Sequence, residues 1–96
     1  MPAHAGRAGL MVGIMWFVYF IKSLSNKWYY VGSTNDIDRR ISEHNAGKVS
    51  STKQKRPFIL VYKKEFKTEQ EARGYERLLK SKRIEKEKII KQINIA

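Results

Sequence analysis

Ninety-six residues leave room for one domain with a single modest core and no second module. Lys and Arg number 20 against 9 Asp and Glu, a formal charge of +11, which points to a polyanionic partner, either nucleic acid or an anionic membrane surface. The absence of cysteine excludes a disulfide framework and a thiolate metal site, and is compatible with a reducing, cytoplasmic setting. Over residues 22–91 the basic residues interleave with apolar ones, which suits a folded basic surface better than a disordered arm.

Residues 1–14, MPAHAGRAGLMVGI, are small, Gly/Ala-rich and unlike the rest of the chain. They are expected to form a disordered leader to one domain over residues 15–96. The nearly unbroken apolar run 10–21 is twelve residues long, against about 20 for a helix that crosses a bilayer. It ends in Lys22 and a turn, with no small-x-small cleavage site after it. A buried strand fits that run better than a secretion signal or a membrane span. Residues 16–21 are aromatic and β-branched, and their continuous apolarity predicts a strand covered on both faces. Residues 23–27, SLSNK, carry turn chemistry, and residues 28–33 read as the returning strand. Gly32 closes that strand at a point where a side chain would obstruct whatever approaches.

Asp36 or Thr34 can cap the next helix, in which Ile37 and Ile41 face the core, and Asn45-Ala46-Gly47 ends it with a C-terminal glycine signal. Residues 48–57, KVSSTKQKRP, form a polar, basic loop. A third strand over 58–66 leads to Thr68, which with Glu71 makes a capping-box pattern. Ala72, Tyr75, Leu78, Leu79 and the aliphatic stem of Arg83 give that helix its apolar stripe. Ile84, Ile89, Ile90 and Ile93 do the same for a last helix over 82–95. The order β-β-α-β-α-α predicts an α+β fold, a small three-stranded antiparallel sheet flanked by helices.

Tyr19 and Tyr30 fall on neighbouring strands joined by a short turn, within cross-strand reach. Arg40 and His44, at i and i+4, share one helix face beside that of Ile37 and Ile41, at the rim of the core. Glu76, four after Ala72 and three before Leu79, is a carboxylate in or beside an apolar stripe. It is either the edge of the stripe or a group placed to meet a cation. Each of these has an ordinary explanation alone: strand tyrosines pack, an Arg/His pair on a basic helix is solvated, and a Glu edges a stripe.

Taken together they resemble the GIY-YIG endonuclease domain, and in particular its small stand-alone bacterial members. Phe17-Val18-Tyr19 stands where that family has Gly-Ile-Tyr, and Tyr30-Val31-Gly32 where it has Tyr-Ile-Gly, at the usual separation of about ten residues. Arg40 lies eight after Gly32, as the family arginine does, and His44 falls on a His/Tyr position. Ser33-Thr34-Asn35-Asp36, His44-Asn45-x-Gly47, Thr52-Lys53-x-x-Arg56-Pro57 and Glu71-Ala72-x-x-x-Glu76 all look like the small members. The chain departs from the pattern at Phe17, in place of glycine, and at Ser33, where some members carry a lysine. Any cation acting on the tyrosines must therefore come from elsewhere.

The resemblance implies metal-dependent hydrolysis of phosphodiester bonds in DNA, with little sequence specificity, in repair or processing. It implies Glu76 as the protein ligand of one hydrated Mg²⁺ or Mn²⁺, and Arg40 as a donor to the non-bridging phosphate oxygens. Tyr19 would activate the attacking water, Tyr30 would position water or phosphate, and His44 would assist proton transfer. Tyr19 has a reference pKa near 10 and needs help to act at neutral pH. Gly32, Lys48, Lys53, Lys55 and Arg56 are the candidate nucleic-acid contacts. No small-molecule cofactor and no membrane partner are implied. Two other classes stay open: a nucleic-acid-binding module with this fold and little turnover, and a basic structural protein whose tyrosines are pure core.

Overall fold

A computed structural model describes residues 14–95, so the expected leader lies outside the described residues except for Ile14. Two strands, β1 (Trp16–Ser23) and β2 (Tyr29–Thr34), lead to helix α1 (Ile37–Asn45). A 3-10 turn (Lys53–Lys55) precedes strand β3 (Phe58–Phe66), and helices α2 (Glu69–Ser81) and α3 (Arg83–Ile95) complete the order. The sheet is antiparallel throughout, in the order β2-β1-β3. This is the predicted α+β architecture. β1 starts where expected and runs two residues further, to Ser23, β2 is shifted by one residue to Tyr29–Thr34, and β3 keeps its expected bounds.

The unbroken apolarity of β1 has a simple cause. It is the central strand, and Val18, Tyr19, Phe20 and Ile21 are all buried. Alternate side chains go to opposite faces. Val18 and Phe20 join Val31, Ala72, Leu79 and Ile89 in one core, while Tyr19 and Ile21 join Phe58, with Ile37 and Ile41 against them, in the other. Helices α2 and α3 thus cover one face and α1 the other. Between Phe20 and Ile21 the β1–β3 register shifts by one residue, leaving Val61 as the extra residue of a bulge.

Local chemistry fixes where the helices begin and end. Asp36 accepts from the backbone N–H of Arg39 and Thr68 from that of Glu71, each satisfying a donor with no partner in its own helix. Gly47, at φ +80°, follows the last turn of α1 in the left-handed conformation that glycine adopts at little cost. Asn45 then ties α1 to β3, accepting from the N–H of Phe58 at 2.7 Å and donating to its carbonyl at 3.2 Å.

Three expected core contacts are corrected. Leu78 is 37% exposed. The buried side of α2 runs through Ala72, Tyr75 and Leu79, and Leu78 is turned about 100° from Leu79. Ile84 is 64% exposed, because a spacing of five residues sets it about 140° from Ile89 around α3. Arg83 begins α3 with its side chain in solvent, paired with Glu87 at 3.0 Å. No helix among the described residues is long and apolar enough to cross a membrane.

The register pairs Tyr19 with Gly32, and a Cβ at position 32 would stand 2.5 Å from the Tyr19 hydroxyl. The tyrosine ring lies across the glycine and cannot swing away, because its hydroxyl is hydrogen-bonded behind it. Gly32→Ala is expected to cost about 1–3 kcal/mol by overpacking, read as a lower midpoint in thermal unfolding. Leu79→Ala should cost about 2–5 kcal/mol in denaturant unfolding. Leu78→Ala, on the exposed flank of the same helix, should cost under about 1 kcal/mol.

Candidate active site

One cleft of about 310 Å³ opens where β2, α1 and α2 meet. Tyr30, Gly32 and Ser33 of β2 form its floor, Arg39 and Arg40 of α1 one wall, and Arg73 and Glu76 of α2 the other. Trp16 closes one end, with the Arg73 guanidinium 5.5 Å over its ring. Of the residues singled out in the sequence, Tyr30, Gly32, Arg40 and Glu76 therefore share one concave surface.

Tyr19 and His44 lie behind that surface. Both are buried, and the Tyr19 hydroxyl is 2.9 Å from Nε2 of His44. The other ring nitrogen, Nδ1, is 2.8 Å from the Thr52 hydroxyl. Tyr30 packs beside both rings, 5.0 Å from His44 and 6.4 Å from Tyr19 between ring centres. Burial pushes the Tyr19 phenol up to about 12, against the pull of the nearby Arg40 cation, while Tyr30 and Glu76 add to the upward shift. Tyr19 is thus a neutral phenol, close enough to the cleft to feel its charges. Burial also drives His44 down to about 4, helped by Arg40 and opposed by Glu43. The ring stays neutral throughout the physiological range.

The charged groups of the cleft hold one another. Arg40 meets Glu43 at 2.8 Å, and Arg39 meets the other oxygen of the same carboxylate at 2.9 Å. Hydrogen bonding to Glu43 is the main cause that raises the Arg40 pKa, and the same bond holds Glu43 below the usual carboxylate range. Glu76 accepts from the Ser33 hydroxyl at 2.6 Å on Oε1 and pairs with Lys80 at 2.8 Å on Oε2. Lys80 also lies 5.4 Å over the ring of Tyr30. Lys80, one turn beyond Glu76 along α2, thus places a cation beside Tyr30 where Ser33 offers none.

Glu76 is a fair match to a hard divalent ion. Its side chain is 17% exposed, and each carboxylate oxygen retains acceptor capacity beyond its present partner. Among the described residues no group of three or more His, Cys, Asp or Glu converges. The donor set suits an ion that keeps most of its waters, as Mg²⁺ does, and not one caged by protein.

The loop cations stand apart from the cleft. Lys48 and Lys53 are exposed, and Arg56 donates from Nε to the Lys53 carbonyl at 2.9 Å. Lys55 rests 5.6 Å over Trp28, and its carbonyl accepts from Ser23 at 2.6 Å. They flank the Tyr19–His44 side of the domain. Sequence reasoning missed Arg39, Arg73, Glu43 and Lys80. The i,i+3 and i,i+4 spacings of Glu43 from the two arginines, and of Lys80 from Glu76, were available as signals.

Over 57 residues the chain is 42% identical to the UPF0213 protein YazA of Bacillus subtilis, a match spanning 58% of this chain and 57% of that protein. It therefore takes in less than two thirds of that relative's length. Over 63 residues it is 43% identical to the UPF0213 protein SH2523 of Staphylococcus haemolyticus, spanning 62% of this chain and 76% of the other. The solution NMR structure of the UPF0213 protein BH0048 from Bacillus halodurans is similar at a TM-score of 0.51 and 32% identity, over 81% of this chain and 84% of that one. Residues 15–91 match the GIY-YIG catalytic domain, a domain of nucleases that act on nucleic acid and generally use a divalent metal. With the match covering most of its length and the fold agreeing, the chain belongs to the GIY-YIG family.

Proposed function

We propose that this protein is a metal-dependent endonuclease that hydrolyses phosphodiester bonds in DNA with little sequence specificity, in repair or processing. The observation that carries the reading is the convergence of Tyr30, Gly32, Arg40 and Glu76, from two helices and a strand, on one cleft. That cleft joins a guanidinium fork to a lone carboxylate, the pairing a phosphodiester and a hydrated cation call for.

Arg40 binds the non-bridging phosphate oxygens through two N–H groups, with Arg39 and Arg73 beside it to offset the remaining charge. Glu76 would hold the ion, which when bound neutralises charge on the phosphate and the leaving oxygen. Ser33 keeps the Glu76 carboxylate aimed into the cleft. Tyr30 orients the attacking water. As that water adds to phosphorus, Tyr19 takes its proton and passes its own to Nε2 of His44, so that no free phenolate is needed. The bridging P–O bond breaks, and the departing oxygen keeps the electron pair and takes a proton from solvent. His44, a weak base with a pKa of about 4, returns its proton through Tyr19 to solvent, so that both groups are neutral again. Lys48, Lys53, Lys55 and Arg56 hold flanking backbone by charge.

A second reading, a nucleic-acid-binding module with little turnover, draws on the internal pairing of both key groups, Arg40 with Glu43 and Glu76 with Lys80. Cleavage of single-stranded, duplex and branched DNA with Mg²⁺ or Mn²⁺ separates the two. Arg40→Ala and Glu76→Ala are each expected to lower cleavage by about 10²–10³-fold, with binding in EDTA kept by Glu76→Ala. Binding without cutting on every substrate would favour the module.

Acid is expected to weaken the fold through His44. Its folded pKa lies near 4 and its unfolded value near 6.5. Below about pH 6.5 the unfolded chain takes up a proton that the folded one refuses, so stability falls as pH drops toward 4. Between pH 7 and 5 the loss should be about 2 kcal/mol in denaturant unfolding, and His44→Gln should lack it.

A further inference from the structure

Thr52 occupies the residue before the 3-10 turn, a position where a threonine ordinarily caps the following backbone, yet its hydroxyl makes no such bond. It is fully buried, and its Oγ1 instead lies 2.8 Å from His44 Nδ1 and 3.3 Å from the Val49 carbonyl. A loop hydroxyl has been turned inward onto a buried imidazole.

The direction of the hydrogen bonds is set by what each neighbour is able to do. The Val49 carbonyl only accepts; it takes the Thr52 backbone N–H at 3.1 Å and is placed to take the Thr52 hydroxyl proton as well, at 3.3 Å. With its proton there, Thr52 has lone pairs to offer a hydrogen on His44 Nδ1. At the other end, the buried Tyr19 hydroxyl has one hydrogen-bonding partner among the described residues, Nε2 of His44 at 2.9 Å. The phenolic proton therefore goes to the one acceptor beside it, Nε2 of His44. Starting from the phenolic proton, the chain of bonds runs Tyr19 to His44 to Thr52 to Val49, with Thr52 as the acceptor that the Nδ1 hydrogen needs, and no buried side-chain polar atom among the described residues is left without a partner.

We propose that Thr52 is a positioning residue for the reaction, fixing His44 as the Nδ1–H tautomer so that its Nε2 lone pair faces Tyr19. The inference rests on the nuclease reading for its catalytic consequence, and on geometry alone for the tautomer. With the opposite tautomer His44 would donate to Tyr19 and could not receive the phenolic proton, so the route from water through Tyr19 would be closed. Thr52 touches neither phosphate nor water. It acts through His44, as the carboxylate behind the histidine does in serine hydrolases.

The test is long-range ¹H–¹⁵N NMR of the His44 ring at pH 7, in the full chain and in Thr52→Val and Thr52→Ser, beside steady-state cleavage of DNA with Mg²⁺. The native protein is expected to show Nδ1 protonated and Nε2 bare. Thr52→Val, which keeps the shape and loses the hydroxyl, should populate the other tautomer and lower kcat by about tenfold or more with KM little changed. Thr52→Ser should restore both. A native ring protonated on Nε2 overturns the proposal, and this measurement needs no variant to fold. A tautomer that changes in Thr52→Val while kcat holds overturns the positioning role. Absence of cleavage by the native protein on every DNA overturns the nuclease reading instead, and leaves the NMR result to decide the tautomer.

Discussion

The contact on which the structure depends is the ring of Tyr19 laid across Gly32. It joins the two strands at their paired register positions, and only a residue without a Cβ lets the ring pass. The hydroxyl at the ring's far end then reaches His44, which brings α1 against the sheet, and His44 reaches Thr52, which brings in the basic loop. One side chain thus links two strands, a helix and a loop through a steric fit and two buried hydrogen bonds. In a domain this small, where a single core contributes only a few kcal/mol of net stability, such a link is part of the fold before it is part of a site.

The cleft is built in front of this link and by different means. Its groups are charged, partly solvated and held by partners one helical turn away, Glu43 beneath the two arginines and Lys80 beside Glu76. Exposed pairs of this kind contribute little to stability, about 1 kcal/mol at most. They do orient the side chains: a guanidinium held on a carboxylate is already spread in the plane in which it would meet a phosphate. The outcome is a dry layer that sets geometry and a wet layer that carries charge, meeting at Gly32.

Much of this was legible in the sequence, for identifiable reasons. The uninterrupted apolar run of β1 marked a strand covered on both faces, since only such a strand can bury four residues in succession; its central place in the sheet came from the structure. Asp36, Thr68 and Gly47 declared the helix ends, because capping is local chemistry. Leu78 and Ile84 misled because apolar character says nothing about which way a helix is rotated, and the rotation was decided by Leu79 and Ile89. The Thr52–His44 and Ser33–Glu76 bonds span loops and elements. No periodicity encodes where a loop turns its hydroxyl, so these were beyond a reading of pattern alone. Lys80 was hidden differently: its spacing from Glu76 was visible, but a Glu–Lys pair on a basic helix reads as an ordinary surface ornament until the tyrosine ring beneath it is seen.

The division into two layers bears on what amino-acid identity in this fold can report. Tyr19, Gly32, His44 and Thr52 are enclosed by the core, so selection for a folded chain alone would retain them after any chemistry had lapsed. Their presence in a relative is testimony about folding. Arg40 and Glu76 owe little to the core, and a chain that had stopped using them would be free to drift there first. Those two positions are where a working lineage and a retired one would part company.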